Sequence, residues 1–373
     1  MNILMTLANS FTHDPRVYME ARSLIRAGHR VTVLAWDREG NNKPQEIKDE
    51  IEIVRSYNSR LMNLAKYDIF KMYLWWNKGY KDALKLCKNK KFDIIHSHDL
   101  SSLKIGLKLK KRFSLPLIYD AHEIFGYMIT QDVPNFFARQ ALDTEKKWIK
   151  DVDQIITVNE PLKKYFESIS NHPVTIVMNA KEIKDIKYEP SKSKKLSLIY
   201  LGSLNDCRFL PEAIEVVREI PNVELIMGGI GKPEYLKFLK EKCSKIKNIN
   251  FIGTIPMEEV LPMTKKSDVI ICMFDPKYRI NKVGLPNKLF EAMVCGRPII
   301  CTKGIHSGDF VEKEKCGLAI NYSTDELKKT IIRLRDNPKL CEELGKNGID
   351  AAVKKYSWEK QEEKLLNVYK GII

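Results

Sequence analysis

A segment near residue 290 has the composition of a helix that begins at an anion-binding site. Pro286 suits the first position of a helix, because its nitrogen has no hydrogen to leave unpaired there. The N–H groups that would then point out of the helix end belong to Asn287, Lys288 and Leu289. Together with the positive end of the helix dipole, these donors favour an anion such as a phosphate.

Lys288 and Glu291 are three residues apart in this segment and therefore share one face of the helix. The cation could neutralise a phosphate, and the carboxylate could accept hydrogen bonds from sugar hydroxyls. The combination suits a nucleotide sugar. An amphipathic helix on which Lys and Glu form a weak surface pair would have the same pattern, and the segment alone is compatible with both interpretations.

The elements that must position these residues alternate between short apolar runs and helical patterns, which is typical of parallel sheets built from strand-helix-strand units. Strands are predicted at 2–8, 30–35, 51–55, 93–96, 115–119, 154–158 and 174–177, and then at 196–201, 223–227, 249–252, 269–273, 298–301 and 317–320. From about Thr324 the pattern is helical to the end. The fold class is therefore α/β, with two doubly wound halves and a polar linker at 181–195.

The length of 373 residues also favours two domains, which we predict at 1–180 and 181–356. Hydrophobic residues make up 44% and charged residues 30%, as in globular proteins. No apolar run reaches about 18 residues and no signal-peptide pattern follows Met1, so a cytoplasmic location is expected. The eight cysteines form no C-x-x-C pair, which predicts reduced and mostly buried thiols rather than a zinc site or a disulfide framework.

The net charge of +15 is concentrated in the stretch 60–112, where 14 Lys and Arg residues stand against 4 Asp and Glu residues. Phe70, Tyr73, Trp75 and Trp76 interleave with its lysines. A basic helix with exposed aromatic rings would bind an anionic membrane surface, whereas an ordinary helix would pack the rings on a core and leave the lysines in water. No nucleic-acid partner is expected, because no recognisable binding module accompanies the charge.

Polar side chains follow three predicted strands of the first half, where ligands bind in open parallel sheets. Asp14 and Arg16 come after the first of these strands. Asp14 most simply caps the helix that begins at Pro15, and Arg16 could face a cleft or the solvent. His122 and Glu123 follow a later strand and could orient an acceptor or contact a sugar.

His96, His98 and Asp99 lie at the end of the strand predicted at 93–96. Histidines beside a carboxylate can bind a metal ion. The two histidines share a face only if the strand continues beyond His96, and no third ligand is spaced for the site. No metal site and no cofactor are therefore predicted.

In the second half, Gly202 and Ser203 end a strand and Arg208 precedes the next helix. Loop amides and a guanidinium in this order suit a diphosphate, although a turn with a surface arginine would have the same pattern. Gly229 and Thr254 stand at the ends of the next two strands and are weaker signals, because glycines there often serve only tight turns.

The ordered set of motifs resembles the family 4 glycosyltransferases. The matching segments are 14–18, 20–24, 27–29, 92–99, 119–123, residue 179, 200–203, 285–298 and 356–359. The resemblance implies the GT-B fold, in which two Rossmann-like domains face each other across a deep cleft and a C-terminal helix, here about 357–373, packs back on the first domain. It also implies a hexosyltransferase-type enzyme that retains the sugar's configuration and needs no metal ion.

The donor implied by the resemblance is a UDP- or GDP-type nucleotide sugar, and the acceptor is a glycan, a lipid-linked sugar or another molecule. The cytoplasmic location expected from the composition would be peripheral on the inner face of the membrane if the basic stretch 60–112 binds an anionic bilayer. A GT-B nucleotide-sugar epimerase and a non-catalytic protein that binds nucleotide or membrane are the alternatives.

The family's two donor-site glutamates lie eight residues apart, and Glu291 matches the second, which holds the ribose. Val283 stands at the first, so the usual contact to the donor sugar is missing. Ser203 replaces a phosphate-binding arginine, and Arg208 matches a later cation. The implied catalytic residues are His122, Arg208 and Lys288; the implied donor site comprises Gly202, Ser203, Arg208, Gly229, Thr254, Pro286, Asn287, Lys288, Leu289 and Glu291; and the implied acceptor side comprises Asp14, Arg16, His98 and Glu123.

Overall fold

The computed structural model describes the chain except for residues 13, 66–67, 132, 184–185, 191–193 and 373, and except for the side chains of residues 68 and 69. Residue 13 of the first polar motif, residue 66 of the basic stretch and five residues of the predicted linker thus lie outside the described residues. The chain forms two compact units. The first contains Met1–Met178 with Gln361–Ile373, and the second contains Asn179–Lys360.

The first unit is built on an eight-stranded sheet with the order β3-β4-β2-β1-β5-β6-β7-β8. Its strands are β1 (Asn2–Leu7), β2 (Arg30–Asp37), β3 (Gln45–Lys48), β4 (Ile51–Tyr57), β5 (Ile94–His98), β6 (Leu117–Ala121), β7 (Gln154–Thr157) and β8 (Val174–Ile176). All pair in parallel except β3, which is antiparallel to β4. The central strands β1 and β5 are buried on both faces because helices cover both sides of the sheet.

The helices of the first unit are α1 (Pro15–Arg26), α2 (Arg60–Leu64), α3 (Asp68–Asn89), α4 (Asp99–Phe113), α5 (Phe125–Met128), α6 (Asn135–Trp148) and α7 (Glu160–Ile169), with short 3-10 turns at Ile129–Gln131 and Ile149–Asp151. Asp14 caps α1, since its Oδ1 accepts a hydrogen bond from the Val17 N–H at 3.1 Å. The predicted cap at Asp14 is therefore confirmed.

The second unit has a six-stranded parallel sheet with the order β11-β10-β9-β12-β13-β14. Its elements are β9 (Leu196–Leu204), α8 (Leu210–Arg218), β10 (Val223–Gly231), α9 (Pro233–Cys243), β11 (Ile249–Gly253), α10 (Met257–Lys266), β12 (Val269–Cys272), α11 (Arg279–Val283), α12 (Asn287–Cys295), β13 (Ile299–Thr302), α13 (His306–Glu314), β14 (Gly317–Ile320), α14 (Thr324–Asp336) and α15 (Pro338–Lys355), with a 3-10 turn at Asp206–Arg208. A last helix, α16 (Trp358–Lys370), follows.

The predicted α/β fold with two parallel sheets is confirmed, and the structure adds β3 and lengthens several strands. The segment Gln45–Lys48 is too polar to show an apolar strand pattern. Strand β5 continues beyond the predicted end to His98, β9 continues to Leu204, and β10 continues to Gly231. These extensions carry polar or glycine residues, which an apolar pattern does not count as strand.

The cysteines are all free, and seven of the eight are buried, as predicted. In the part of the chain that the structure describes, no helix is both long enough and apolar enough to cross a lipid bilayer.

The carboxyl ends of β9 and β10 approach each other through two glycines. Gly229 pairs with Gly202, and a Cβ built on Gly229 would lie 1.7 Å from the Gly202 carbonyl oxygen. Gly229 also has a φ of 142°, in the region that favours glycine. Only glycine therefore allows these two backbones to lie this close.

We expect Gly229→Ala to lower the free energy of unfolding by about 3 kcal/mol or more, because the added methyl group meets backbone that cannot rotate away. The matched control is Gly253→Ala, at a glycine that has a φ of 71° but no atom within 4 Å of an added Cβ. In this control the free energy of unfolding should fall by only about 1–2 kcal/mol, which is the backbone strain of an alanine in the left-handed region. Urea unfolding of both variants measures the difference, and equal losses would contradict the close approach.

Candidate functional site

In the first unit, Arg16 forms a buried two-point ion pair with Asp120. Its Nε and one terminal nitrogen donate to the two carboxylate oxygens at 3.0 and 2.7 Å, and its other terminal nitrogen donates to the Val177 carbonyl at 2.7 Å. Burial disfavours the charged forms of both side chains, but the charge of each side chain stabilises the charged form of the other. The pKa of Arg16 is raised and that of Asp120 is lowered well below its usual value. Arg16 thus orients Asp120 and does not face the solvent.

His122 lies between two carboxylates. Its Nδ1 is 3.2 Å from Asp99 Oδ2 and its Nε2 is 3.1 Å from Asp120 Oδ2, while its backbone N–H donates to Asp99 Oδ1 at 3.0 Å. Burial alone would lower the pKa of His122, but the two carboxylates outweigh it and raise the pKa well above 6.5. Both ring nitrogens are therefore engaged by carboxylates, which favours the protonated form of the ring.

Asp99 reaches His122 from a strained backbone position. It has a φ of 57° at the start of α4, in the left-handed region that aspartate tolerates better than most residues. Local strain of this kind is concentrated at functional sites. The position supports a functional role for the pair.

The other acceptor-side residues lie around this pair. His98 Nδ1 is 3.2 Å from Asp120 Oδ2, and the charge of Asp14 is close enough to influence the pKa of His98, which burial lowers. Glu123 is half-buried between β6 and α5, where its charge raises the pKa of Glu145 further than burial does alone. The structure thus brings His98 and His122 together at Asp120, with Asp14 close enough to act on His98.

At the histidines, the structure differs from the sequence-based expectation on two points. Strand β5 continues to His98, so His96 and His98 share a face, and Glu20 and Asp120 complete a buried group whose ligand atoms lie within 4.8 Å of one another. However, the Arg16 guanidinium already lies 3.1 Å from Glu20 and 2.7 Å from Asp120. The guanidinium already places a positive charge among these ligands, so a divalent metal ion would be repelled there. The absence of a metal site stays a prediction.

In the second unit, Lys288 lies over the end of β9. A Cβ on Gly202 would come within 2.5 Å of the Lys288 Nζ, and that nitrogen is 4.6 Å from the centre of the Tyr200 ring. Burial lowers the pKa of Lys288, against the raising effect of Glu291. Lys288 therefore forms no ordinary surface pair, and that interpretation of the segment is wrong.

Arg208 is held from two sides. Its guanidinium carbon lies 3.8 Å from the centre of the Phe274 ring, and one terminal nitrogen donates to Asn281 Oδ1 at 3.1 Å. Asn281 is itself anchored, because its Nδ2 donates to the Asp275 carbonyl at 2.9 Å. The Nε of Arg208 is buried without a hydrogen-bond partner among the described residues. The side chain is thus fixed in place, with one buried donor left unpaired among the described residues.

Arg208 and Lys288 converge on the end of β12. A hydrogen bond with Cys301 lowers the pKa of the Cys272 thiol against the effect of burial, and the charges of Lys288 and Arg208 lower it further. Both cations therefore lie close to Cys272. Strands β9 and β12 are the pair at which the strand order reverses, which is where ligands bind in open parallel sheets.

The start of α12 differs in detail from its prediction. Pro286 is the N-cap and not the first helical residue, and the Leu289 N–H donates to the Pro286 carbonyl at 3.0 Å, so it is not free for an anion. The amides of Asn287 and Lys288 are then the donors of this helix end. Glu291, one turn further, is 3.2 Å from the ammonium of Lys181.

The remaining donor-side residues lie at neighbouring strand ends. Thr254 Oγ1 donates to the Gly229 carbonyl at 3.1 Å, and Ser203 is exposed with its Oγ accepting from Asn205. No functional role was predicted from the sequence for Asn281, Phe274 or Lys181. No local motif marks them, because their partners are 73, 66 and 110 positions away along the chain.

Two family models match adjacent parts of the chain. The model described as Glycosyltransferase Family 4 matches residues 16–180, and the model described as Glycosyl transferases group 1 matches residues 181–351. The chain belongs to the family 4-like glycosyltransferases. The predicted GT-B fold and the predicted enzyme class are both confirmed.

Individual relatives agree with the family. The chain is 22% identical to an uncharacterised glycosyltransferase of Methanocaldococcus jannaschii over 94% of this chain and 92% of the relative. It is 24% identical to the alpha-monoglucosyldiacylglycerol synthase of Acholeplasma laidlawii over 82% and 80%. The structure of Anabaena HepE in complex with UDP-glucose has a TM-score of 0.76 at 15% identity, covering 100% of both chains, and so shares the fold of this glycosyltransferase.

We expect the imidazole of His122 to keep its proton through neutral pH, because Asp99 and Asp120 hold its pKa well above 6.5. Burial and the N-terminal ammonium lower the pKa of His29, so the two histidines should titrate on opposite sides of that value. NMR titration of ¹³C-labelled histidine rings measures both. Asp99→Asn should lower the midpoint of His122, and a parent midpoint at or below 6.5 would contradict the assignment.

The raised pKa of His122 also has a defined effect on stability. A pKa that folding raises contributes stability that is fully present below about 6.5 and is lost as the pH rises through the native pKa. The contribution is about 1.4 kcal/mol for every tenfold gain in proton affinity on folding. The destabilisation caused by His122→Asn should therefore be larger at pH 6 than at alkaline pH.

Proposed function

We propose that this glycosyltransferase takes a sugar from a UDP- or GDP-type donor and binds the diphosphate at the end of β9. The observation that supports this most directly is that Lys288 lies beside Gly202 and that Lys288 and Arg208 both lie close to Cys272 at the end of β12. Glycine backbone, a helix start and two cations are the groups that bind a diphosphate in proteins. The structure of HepE contains UDP-glucose, which is consistent with a nucleotide-sugar donor.

Stabilisation of the leaving group then accounts for catalysis. As the bond to the sugar breaks, negative charge grows on the departing diphosphate, and the fixed cations are aimed at that charge. Arg208 is preorganised by Phe274 and Asn281, so its guanidinium needs little rearrangement in the transition state. We propose that Glu291 binds the ribose and that transfer needs no metal ion, because the two cations already offset the diphosphate charge.

The first unit is proposed to bind the acceptor. Asp99 and Asp120 raise the pKa of His122 and so favour a ring that donates hydrogen bonds from both nitrogens. Its role is therefore to supply positive charge and to hold Asp99 and Asp120 in place. We infer retention of the sugar's configuration from the resemblance to the family. An epimerase would convert a donor sugar with no acceptor present, and a non-catalytic protein would release no nucleotide.

We expect Arg208→Ala and Lys288→Ala each to reduce turnover by about 10²- to 10³-fold, the effect of losing one preorganised donor to transition-state charge. Lys282→Ala removes an exposed cation of α11 and should leave turnover unchanged. The measurement is release of UDP or GDP from a panel of UDP- and GDP-sugars, with thermal unfolding as the check on folding. Parent rates in both variants would refute the diphosphate site.

A membrane surface is proposed as the place of the acceptor. Trp75 and Trp76 are buried, as in an ordinary helix, but Phe70, Tyr73 and Leu74 are exposed on one face of α3. The same face continues in exposed lysines toward the C-terminal end of the helix. Apolar and basic residues on one face suit the interface of an anionic bilayer. The relative from Acholeplasma laidlawii is named as a synthase of a glucosyldiacylglycerol, which is a lipid.

We expect the protein to float with vesicles of phosphatidylcholine containing about 30% phosphatidylglycerol, and to float less with phosphatidylcholine alone, because anionic lipid attracts the lysines. The double variant Phe70→Ser, Leu74→Ser should lose most of the bound fraction. Phe238→Ser, at an exposed aromatic residue of α9 in the other unit, should keep it. Equal flotation of the parent with both vesicle types would contradict an anionic surface.

A further inference from the structure

Lys181 is fixed at the beginning of the second unit. Its backbone forms a parallel bridge with Ser357, and its carbonyl oxygen accepts a hydrogen bond from the Trp358 N–H at 3.0 Å. Trp358 is 1% exposed, so this contact is anchored in the core. The residue is therefore held firmly, although pattern reading placed it in a polar linker.

The side chain of Lys181 reaches Glu291. The ammonium is 3.2 Å from Oε1, and the two side chains are only 19% and 14% exposed. A second pair in the same unit, Lys265 with Glu189, has a similar separation of 3.1 Å but is 47% and 64% exposed. Water screens exposed pairs strongly and shielded pairs much less, so the contact at Glu291 restrains its carboxylate more.

We propose that Lys181 is a positioning residue that holds Glu291 for the ribose of the donor. This inference rests on the proposed donor site. A carboxylate that binds neighbouring hydroxyls must keep one orientation, and Lys181 occupies Oε1 while leaving Oε2 for the sugar. Lys288 also attracts Glu291, since Glu291 raises the pKa of Lys288. Without Lys181, the carboxylate would turn toward Lys288 and away from the ribose.

The role predicts an effect that depends on the ribose. Lys181→Met should weaken UDP or GDP binding by about tenfold, the size of a typical coupling between neighbouring groups. Binding of inorganic pyrophosphate should stay within about twofold, because pyrophosphate has no ribose. Lys181→Arg should restore most of the nucleotide affinity, and Lys265→Met is the matched control at an ion pair outside the site. Isothermal titration calorimetry on the full chain measures all of these.

A double-mutant cycle separates positioning from a general loss of structure. Adding Lys181→Met to Glu291→Gln should cause no further loss of nucleotide affinity, because the carboxylate that Lys181 positions is already gone. Lys181→Gln serves if the methionine variant unfolds more easily. Unchanged or tighter UDP and GDP binding, an equal loss for pyrophosphate, or additive losses in the cycle would each overturn the role. A parent protein that binds pyrophosphate but neither nucleotide would instead overturn the donor site itself.

Discussion

The parallel arrangement of the strands is the constraint on which both candidate sites depend. Parallel strands place all their carboxyl ends at one edge, and each sheet reverses its strand order once, between β1 and β5 and between β9 and β12. The polar side chains that follow these strands therefore meet in space, although they lie far apart in the chain. The buried network around Asp120 and the cations around Gly202 both lie at such a reversal.

The buried charged side chains have different kinds of partner in the two units. Around Asp120, the cations Arg16 and His122 contact the carboxylates of Asp99 and Asp120, and burial raises the pKa of the third carboxyl group, Glu20, well above its usual value. Each cation thus has an anionic partner within the protein. In the second unit, Arg208 is held by a neutral amide and an aromatic ring, and Lys288 lies over another ring beside Gly202. Positive charge there is left for an anionic ligand. The balanced site is suited to orientation, and the unbalanced site is suited to binding a diphosphate.

Predictions from the sequence were correct where they depended on residues close together in the chain. Apolar runs predicted every strand except β3, and the order of motifs predicted the family. The orientation of Arg16 stayed open, because a sequence does not show that a cation after a strand will turn inward to a carboxylate 104 residues later. The sequence prediction ended β9 and β10 too early, since their last residues include glycines that pair closely and need no apolar side chain.

The sequence by itself determined the alternation of strands and helices, the capping of α1 by Asp14 and the candidate cations, because each depends on residues a few positions apart. Only the tertiary structure decided what those groups contact. In the folded protein, both ring nitrogens of His122 contact carboxylates, and Lys288 lies beside Gly202. Glu291 pairs with Lys181 and not with Lys288. The reason is that the partner of a long charged side chain is selected by the packing of distant segments, which local spacing does not contain.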